Sequence, residues 1–201
     1  MVMLLAALAL ATPPIGLRPV VAPWDAPAQY AAHASAAGRS DALVCEPLWP
    51  ERAQLCVRMR DGERLRWVTT ADLEPWAATP QSLLAAVREA GAEQAVDVEE
   101  IVITGMDATY LRVRDGQGWA ASVVLDPSAY AERLGGEPIA IAVPTNGVAV
   151  AWRAGREPVD RVMAVGVREM FDTLPGAVTP TIFLWSKDGF ARFGHAEPVP
   201  Q

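Results

Sequence analysis

The sequence contains few of the residue types that carry most enzyme and metal chemistry. Its 201 residues include two cysteines and two histidines, His33 and His195, whose spacings do not form a zinc-binding set. The motifs of serine-hydrolase elbows, phosphate-binding loops, zinc proteases and EF-hands do not occur in it. A catalytic base would have to be a buried Asp or Glu that the sequence does not single out. We therefore expect no metal and a non-catalytic role.

Positive charge is also scarce. The 17 basic residues are outnumbered by 24 acidic ones, which gives a formal net charge of -7. This balance argues against nucleic acid or an anionic membrane as a partner held by general electrostatics. Lysine occurs once, at Lys187, and alanine, glycine and proline are abundant. That usage is typical of a GC-rich bacterial genome.

No apolar run is long enough to cross a membrane. The N-terminal run, residues 1–11 (MVMLLAALALA), falls short of the about 20 residues that a spanning helix needs. It has the length of a signal-peptide core, but no Lys or Arg precedes it. Two interpretations stay open: a signal peptide of a secreted or periplasmic protein, or an ordinary N-terminal segment of a cytoplasmic one.

The stretch after this run lacks a period that we can assign. Residues 12–40 contain five prolines and a dense run of alanines. We expect residues 1–40 to be a signal-like segment and linker, with a helix across residues 26–37.

What the chain does have is apolar content and one strong turn. Hydrophobic residues make up 51% of the sequence, which is enough for a full core and excludes disorder for most of the chain. Asn146-Gly147 between β-forming residues predicts a two-residue hairpin at residues 138–152. The predicted cross-strand pairs are Val143 with Val150 and Ile141 with Trp152. The opposite face would carry Ala140, Ala142, Ala149 and Ala151.

The two cysteines fall on neighbouring predicted strands. Strands at residues 43–48 and 53–60, joined by the loop at residues 49–52, place Cys45 directly opposite Cys56. Such a pair can form a disulfide in an exported protein and would stay reduced in the cytosol. Two ordinary buried thiols are the other interpretation.

An arginine-rich hairpin follows. A three-residue loop at residues 61–63 would set Arg58 opposite Arg66 and Arg60 opposite Arg64, so that four guanidinium groups share one face. Such a face could bind a small anion or an acidic partner protein. The alternative is a solvated face neutralised by nearby carboxylates. A two-residue loop would instead mix the arginines with the apolar side.

The remaining pattern predicts an α+β fold. Thr79-Pro80 begins a helix that Gly91 ends, and a longer apolar helix covers residues 158–174. Strands are predicted around residues 101–103, 109–114, 181–185 and 190–193. We expect a three-stranded antiparallel meander plus helix at residues 41–91, joined to a mostly antiparallel sheet flanked by helices at residues 92–201. Residues 41–201 can also form one domain.

The order of these parts resembles a known family. A three-stranded meander, then WVTTADLEPWAATPQSLLAAVREA, then PIAIAVP, a long helix and TPTIFLWSKDG resembles the YtpQ-like family of bacterial proteins over residues 41–193. The chain departs from that pattern at residues 145–147, where family members often carry charged residues. The resemblance implies an α+β fold and an unassigned biochemical role.

No cofactor is expected. Gly116, Gly118 and Ala121 outline a dinucleotide fingerprint, but Asp126-Pro127 interrupts the following helix too early for a crossover. We hypothesise a non-catalytic binding domain that uses Arg58, Arg60, Arg64 and Arg66, with Trp49 and Trp76 nearby. The alternative hypothesis is an enzyme with a carboxylate and arginine site in a cleft between the two lobes.

Overall fold

The computed structural model describes residues 16–92, 97–114 and 119–195. It has the predicted α+β architecture, with two antiparallel sheets and helices packed on them. The strands are β1 (Leu17–Pro23), β2 (Cys45–Trp49), β3 (Ala53–Asp61), β4 (Arg64–Trp67), β5 (Val98–Val102), β6 (Thr109–Arg114), β7 (Ile139–Thr145), β8 (Val148–Arg153), β9 (Thr181–Ser186) and β10 (Gly189–His195). The α-helices are α1 (Ala26–Ala36), α2 (Thr70–Leu73), α3 (Pro80–Ala92), α4 (Ser122–Leu125), α5 (Pro127–Arg133) and α6 (Glu157–Thr173).

The first sheet is built around β3. Strand β1 pairs with β3 along one edge, and β2 and β4 pair with successive parts of β3 on its other edge. The prediction that residues 12–40 form a linker is therefore wrong from residue 17 onwards, although the helix expected there is present as α1. Pro19 and Pro23 are tolerated in β1 because it is an edge strand, where a missing backbone N–H breaks no ladder hydrogen bond. Residues 20–22 of the strand are buried.

The second sheet has the strand order β10-β9-β7-β8-β6-β5. Its two central strands are the predicted hairpin, which turns at Asn146-Gly147 with Thr145 opposite Val148. The pairing predicted beyond the turn is wrong, because the register shifts between Ala142 and Thr145. Pro144 lies in this irregularity and has no N–H for a ladder hydrogen bond.

The shift changes what each face of the hairpin presents. Ile141 lies opposite Ala151, and Trp152 lies opposite Ala140. Each face therefore combines large side chains of one strand with alanines of the other, and the predicted division into a bulky and an alanine face is wrong. Strand β9 itself pairs with β7 only as far as Ala142, as predicted. The segment before β9 pairs again beyond Pro144, because Thr145 forms an isolated bridge with Ala177 and the Pro144 carbonyl accepts from the Val178 backbone N–H at 2.8 Å.

Both faces of the second sheet are covered. Helix α6 packs on one face, where Trp152 of β8 contacts a cluster that includes Val159, Met163 and Val167. The other face shares a core with α4, α5 and the first sheet, since Leu55 and Trp49 cluster with residues of β6 to β9. The two predicted lobes thus have one hydrophobic core in common.

Helix α3 lies on the first sheet as predicted. The Thr79 hydroxyl accepts from the Ser82 backbone N–H at 3.1 Å, and Leu83, Leu84 and Val87 are buried against the sheet. Gly91 lies inside the helix, which continues to residue 92. A Cβ there would lie 2.6 Å from Leu125 Cδ1 and 2.7 Å from Pro19 Cγ, so glycine allows the close approach of α3, α4 and β1.

Within the described residues, no helix combines the length and the apolar character needed to cross a membrane.

Candidate anion-binding surface

The predicted arginine hairpin forms with a different register. Strands β3 and β4 are joined by Gly62 and Glu63, and they pair Arg58 with Trp67 and Arg60 with Leu65. Alternation along the strands puts Arg58 and Arg60 on one face and Arg64 and Arg66 on the other. The prediction of four guanidinium groups on one face, which assumed a three-residue loop, is therefore wrong, and the alternative with a two-residue loop is confirmed. The observed register sets cations beside apolar side chains and avoids like-charge pairs within the hairpin.

Arg66 is neutralised by its neighbours. Its Nη1 and Nη2 donate to the two carboxylate oxygens of Asp72 at 2.8 and 2.7 Å, and Asp61 lies 3.9 Å away. Asp72 also accepts from the Thr69 backbone N–H at 2.9 Å and so caps α2. The hydrogen bonds from Arg66 hold the pKa of Asp72 below its usual range. Arg66 therefore ties β4 to α2, which makes it a structural residue.

Arg58 of β3 faces a second arginine on the neighbouring strand β1. The β1–β3 register places Arg18 directly opposite Arg58 and on the same face as Trp67. We call this surface the arginine face; its residues are Arg18, Arg58, Arg60, Leu65 and Trp67. Two cations directly opposite each other on adjacent strands destabilise a sheet unless an anion lies nearby.

Within the described part of the chain, Arg58 has no carboxylate partner. Its Nη2 donates to the Leu65 carbonyl at 3.2 Å, and its guanidinium lies 4.7 Å from the centre of the Trp67 ring. Its Nε is buried and has no hydrogen-bond acceptor among the residues that the structure describes. Burial lowers the pKa of Arg58. Burial removes part of the hydration shell of the Arg58 guanidinium, and the Trp67 ring and the Leu65 carbonyl replace part of it.

The sequence did not indicate that Arg18 belongs to this surface. Residues 17–23, LRPVVAP, contain two prolines within a short apolar run, which argued against a strand. The one available signal was Val20-Val21 bounded by prolines, which is compatible with an edge strand. The pairing with β3 that gives Arg18 its position joins residues that are 30 to 42 positions apart in the sequence.

The two tryptophans expected near the arginines lie elsewhere. Trp49 pairs with Ala53, five residues along β3 from Arg58 and so about 16 Å away. Trp76 packs on the cluster between α3 and the first sheet. Trp67 is the tryptophan that joins the arginine face.

The cysteine pair has the predicted register. Cys45 lies opposite Cys56, and their sulfur atoms form a disulfide bond. Cys56 is fully buried and lies two residues from Arg58 on the same face of β3. The bond fixes β2 to the central strand that carries Arg58 and Arg60.

A pocket with charged and aromatic side chains in its lining borders the arginine face at Trp67. It has a volume of about 440 Å³. Tyr30 of α1 donates a hydrogen bond from its hydroxyl to Asp41 at 2.6 Å, which lowers the pKa of Asp41 and raises that of Tyr30. The Arg66–Asp72 pair lines the same pocket. Since its charges pair with each other, this pocket mainly connects α1, β4 and α2.

The cleft between the two sheets contains a second pocket, of about 320 Å³. We call it the junction pocket. Its lining residues are Trp49, Pro50, Glu51, Arg52, Phe183, Phe190, Ala191 and Arg192. The pocket combines aromatic rings with a carboxylate and two guanidinium groups.

The other residues that the sequence offered as possible functional groups do not belong to either site. His33 is exposed, with its Nδ1 2.7 Å from the Gln29 carbonyl oxygen. The side chain of His195 and the glycine-rich residues 115–118 lie outside the described residues. In the part of the chain that is described, no three His, Cys, Asp or Glu side chains are grouped as metal ligands would be.

The fold and the site define an α+β protein with two antiparallel sheets and an arginine-bearing edge on the first. No protein-family model, curated protein or solved structure matches the chain.

Proposed function

We propose that this protein is a non-catalytic binding domain whose arginine face receives an acidic segment of a partner protein. The observation that carries the proposal is the environment of the Arg58 guanidinium. It is a half-buried cation opposite Arg18, with a buried Nε that lacks an acceptor and no carboxylate among the described residues.

A carboxylate of the partner would supply what Arg58 lacks. Guanidinium groups bind carboxylates through paired, charge-assisted hydrogen bonds, and these are stronger than bonds between neutral groups. The Trp67 ring beside Arg58 adds an apolar contact, and Arg and Trp are enriched among the residues that dominate binding energy.

Recognition at this face would be local. The whole chain carries a net charge of -7, so long-range attraction does not favour an acidic partner. Affinity would instead come from direct contact with the arginine face. Added salt would weaken binding, and it would do so more strongly where the contacting charges remain exposed to solvent.

The proposal can be tested with a fluorescein-labelled hexaglutamate peptide and fluorescence anisotropy. We expect Arg58→Gln to weaken binding at least about tenfold, because it removes a charge-assisted contact. Arg64→Gln is the matched control: it lies in the same hairpin, on the opposite face and exposed to solvent. It should stay within about twofold of the wild type.

Urea unfolding separates binding from folding. Arg58→Gln removes a half-buried cation that has no carboxylate partner in the described part of the chain, so it should leave stability unchanged or raise it. Equal binding of the peptide by the wild type and Arg58→Gln, or an equal loss in both variants, would contradict the proposal. Displacement of the peptide by millimolar acetate would assign the face to a small anion instead of a protein segment.

A further inference from the structure

The junction pocket has an aromatic floor. The Trp49 ring stacks on Phe183 with centroids 3.7 Å apart and planes at 15°, and Phe190 meets Trp49 edge-on at 5.8 Å. Trp49 and Phe183 are buried in the core shared by the two sheets, whereas Phe190 is 37% exposed. The pocket therefore offers an apolar, aromatic wall to a molecule that enters from solvent.

Two arginines lie beside this floor, one on a strand of the second sheet and one on a loop of the first. Arg192 of β10 lies opposite Phe183 and two residues from Phe190, so these three side chains share one face of the second sheet. Arg52 comes from the loop that joins β2 to β3. Among the described residues, neither guanidinium forms an ion pair. Glu51 also lines the pocket, so its walls contribute two positive charges and one negative charge.

One polar atom of the floor is also unsatisfied. The Trp49 Nε1–H is buried and has no hydrogen-bond acceptor among the described residues. Buried donors of this kind cost free energy unless something pairs with them. Trp49 lines the pocket, and the unpaired donor belongs to the ring that forms its floor.

We propose that the junction pocket binds a small carboxylate with an aromatic body. Its volume is at the lower end of the range for small-molecule pockets, which suits a single-ring ligand. The ring would pack on Phe190 and the Trp49–Phe183 stack, since aromatic groups prefer stacked or edge-on contacts. The carboxylate would lie between Arg52 and Arg192, which can each donate a pair of hydrogen bonds.

This site is separate from the arginine face. Trp49 and Arg58 are about 16 Å apart along β3, and the two surfaces share no residue. The two proposals can therefore fail independently. Arg58→Gln serves as a variant that should not affect ligand binding at the junction pocket.

The test uses the full chain, with phenylacetate and its uncharged analogue phenylacetamide as ligands in an NMR titration. Phenylacetate should shift the indole Nε1–H signal of Trp49, which Trp49→Phe assigns by removing it. Phenylacetamide should bind at least about tenfold more weakly, because it cannot form charge-assisted hydrogen bonds with the arginines.

Substitutions locate the site. Arg52→Gln and Arg192→Gln should each weaken phenylacetate binding about tenfold, and Phe190→Ala should weaken it several-fold. Arg161→Gln, an exposed charge on α6, is the control and should have no effect. Unchanged far-ultraviolet circular dichroism would show that the variants remain folded.

Three results would each overturn the proposal. The first is that phenylacetate does not bind at 10 mM, a concentration on the order of the weakest dissociation constants expected for so small a ligand. The second is that the acid and the amide bind equally well. The third is that the double variant Arg52→Gln/Arg192→Gln binds phenylacetate as well as the wild type does.

Discussion

The indole Nε1–H of Trp152 donates a hydrogen bond to Oδ1 of Asp160 at 2.8 Å. The other carboxylate oxygen of Asp160 accepts from the Gly155 backbone N–H at 3.1 Å. Trp152 is fully buried in the central strand β8, and Asp160 lies in the first turn of α6. Apolar contacts between a helix and a sheet tolerate small shifts, whereas this directional bond fixes the position of α6 along β8.

Asp160→Ala should therefore destabilise the fold by about 2–3 kcal/mol, because a buried donor loses its charged acceptor. Urea unfolding measures the effect. Asp172→Ala is the control, since Asp172 makes an ion pair with Arg168 on the solvent side of the same helix. That change should cost no more than about 0.5 kcal/mol. Equal losses in the two variants would show that the Trp152 bond contributes nothing.

The Cys45–Cys56 disulfide should contribute measurably to stability. It closes a loop with a sequence separation of 11, for which chain entropy predicts about 2–3 kcal/mol. We expect dithiothreitol to lower the urea midpoint of the wild type by a corresponding amount. The double variant Cys45→Ala/Cys56→Ala should match the reduced protein and be insensitive to the reductant. A wild-type midpoint that does not change under full reduction, checked by thiol titration, would contradict this prediction.

The Arg66–Asp72 pair predicts a pH dependence in the acid range. The pKa of Asp72 is lowered in the folded state, first by the hydrogen bonds from Arg66. A carboxyl group with a lowered folded pKa stabilises the fold above its unfolded pKa, which is about 3.9. That contribution is lost as the pH falls below this value and through the folded pKa. Stability should therefore decline with acidification, and Asp72→Asn should reduce the slope.

Asp41 contributes in the same direction, because the Tyr30 hydroxyl lowers its pKa. Part of the acid slope should therefore remain in Asp72→Asn. The measurement is the urea midpoint at pH values from 7 to about 2.5. Parallel curves for the wild type and Asp72→Asn would show that the ion pair is not coupled to folding.

Gly91 should be intolerant of a larger residue. An added Cβ would overlap Leu125 and Pro19, so Gly91→Ala should cost about 1–3 kcal/mol despite the higher helix propensity of alanine. Gly166→Ala is a matched control in α6, where a Cβ would meet no heavy atom of the other described residues within 4 Å, apart from the backbone of its own helix turn. It should stabilise the protein by up to about 1 kcal/mol. A stabilising Gly91→Ala would exclude the close approach of α3 to β1.

Several elements were predictable because their signals are local. Thr79-Pro80 fixes the start of α3 through the chemistry of adjacent residues. Cys45 lies opposite Cys56 as predicted, although β2 extends to Trp49, so the loop is shorter than predicted and a register shift between Pro47 and Trp49 restores the pairing. The arginine face was not predictable, because Arg18 and Arg58 meet through a strand pairing between distant parts of the chain. The junction pocket was missed for the same reason, since Arg52 and Arg192 come from different sheets.

The sequence alone determined the central turn and most of the helices and strands, with β1 as an exception. Asn146-Gly147 can adopt the backbone conformation of a tight hairpin, and the spacing of apolar residues sets which segments become helix or strand. The tertiary structure decided the registers and which charges meet. An irregularity at Pro144 moves Trp152 opposite Ala140, and the pairing of β1 with β3 puts Arg18 opposite Arg58. The first follows from a proline within the hairpin, whose effect on the register the alternation of side chains does not show. The second depends on pairing between distant segments, which no local pattern encodes.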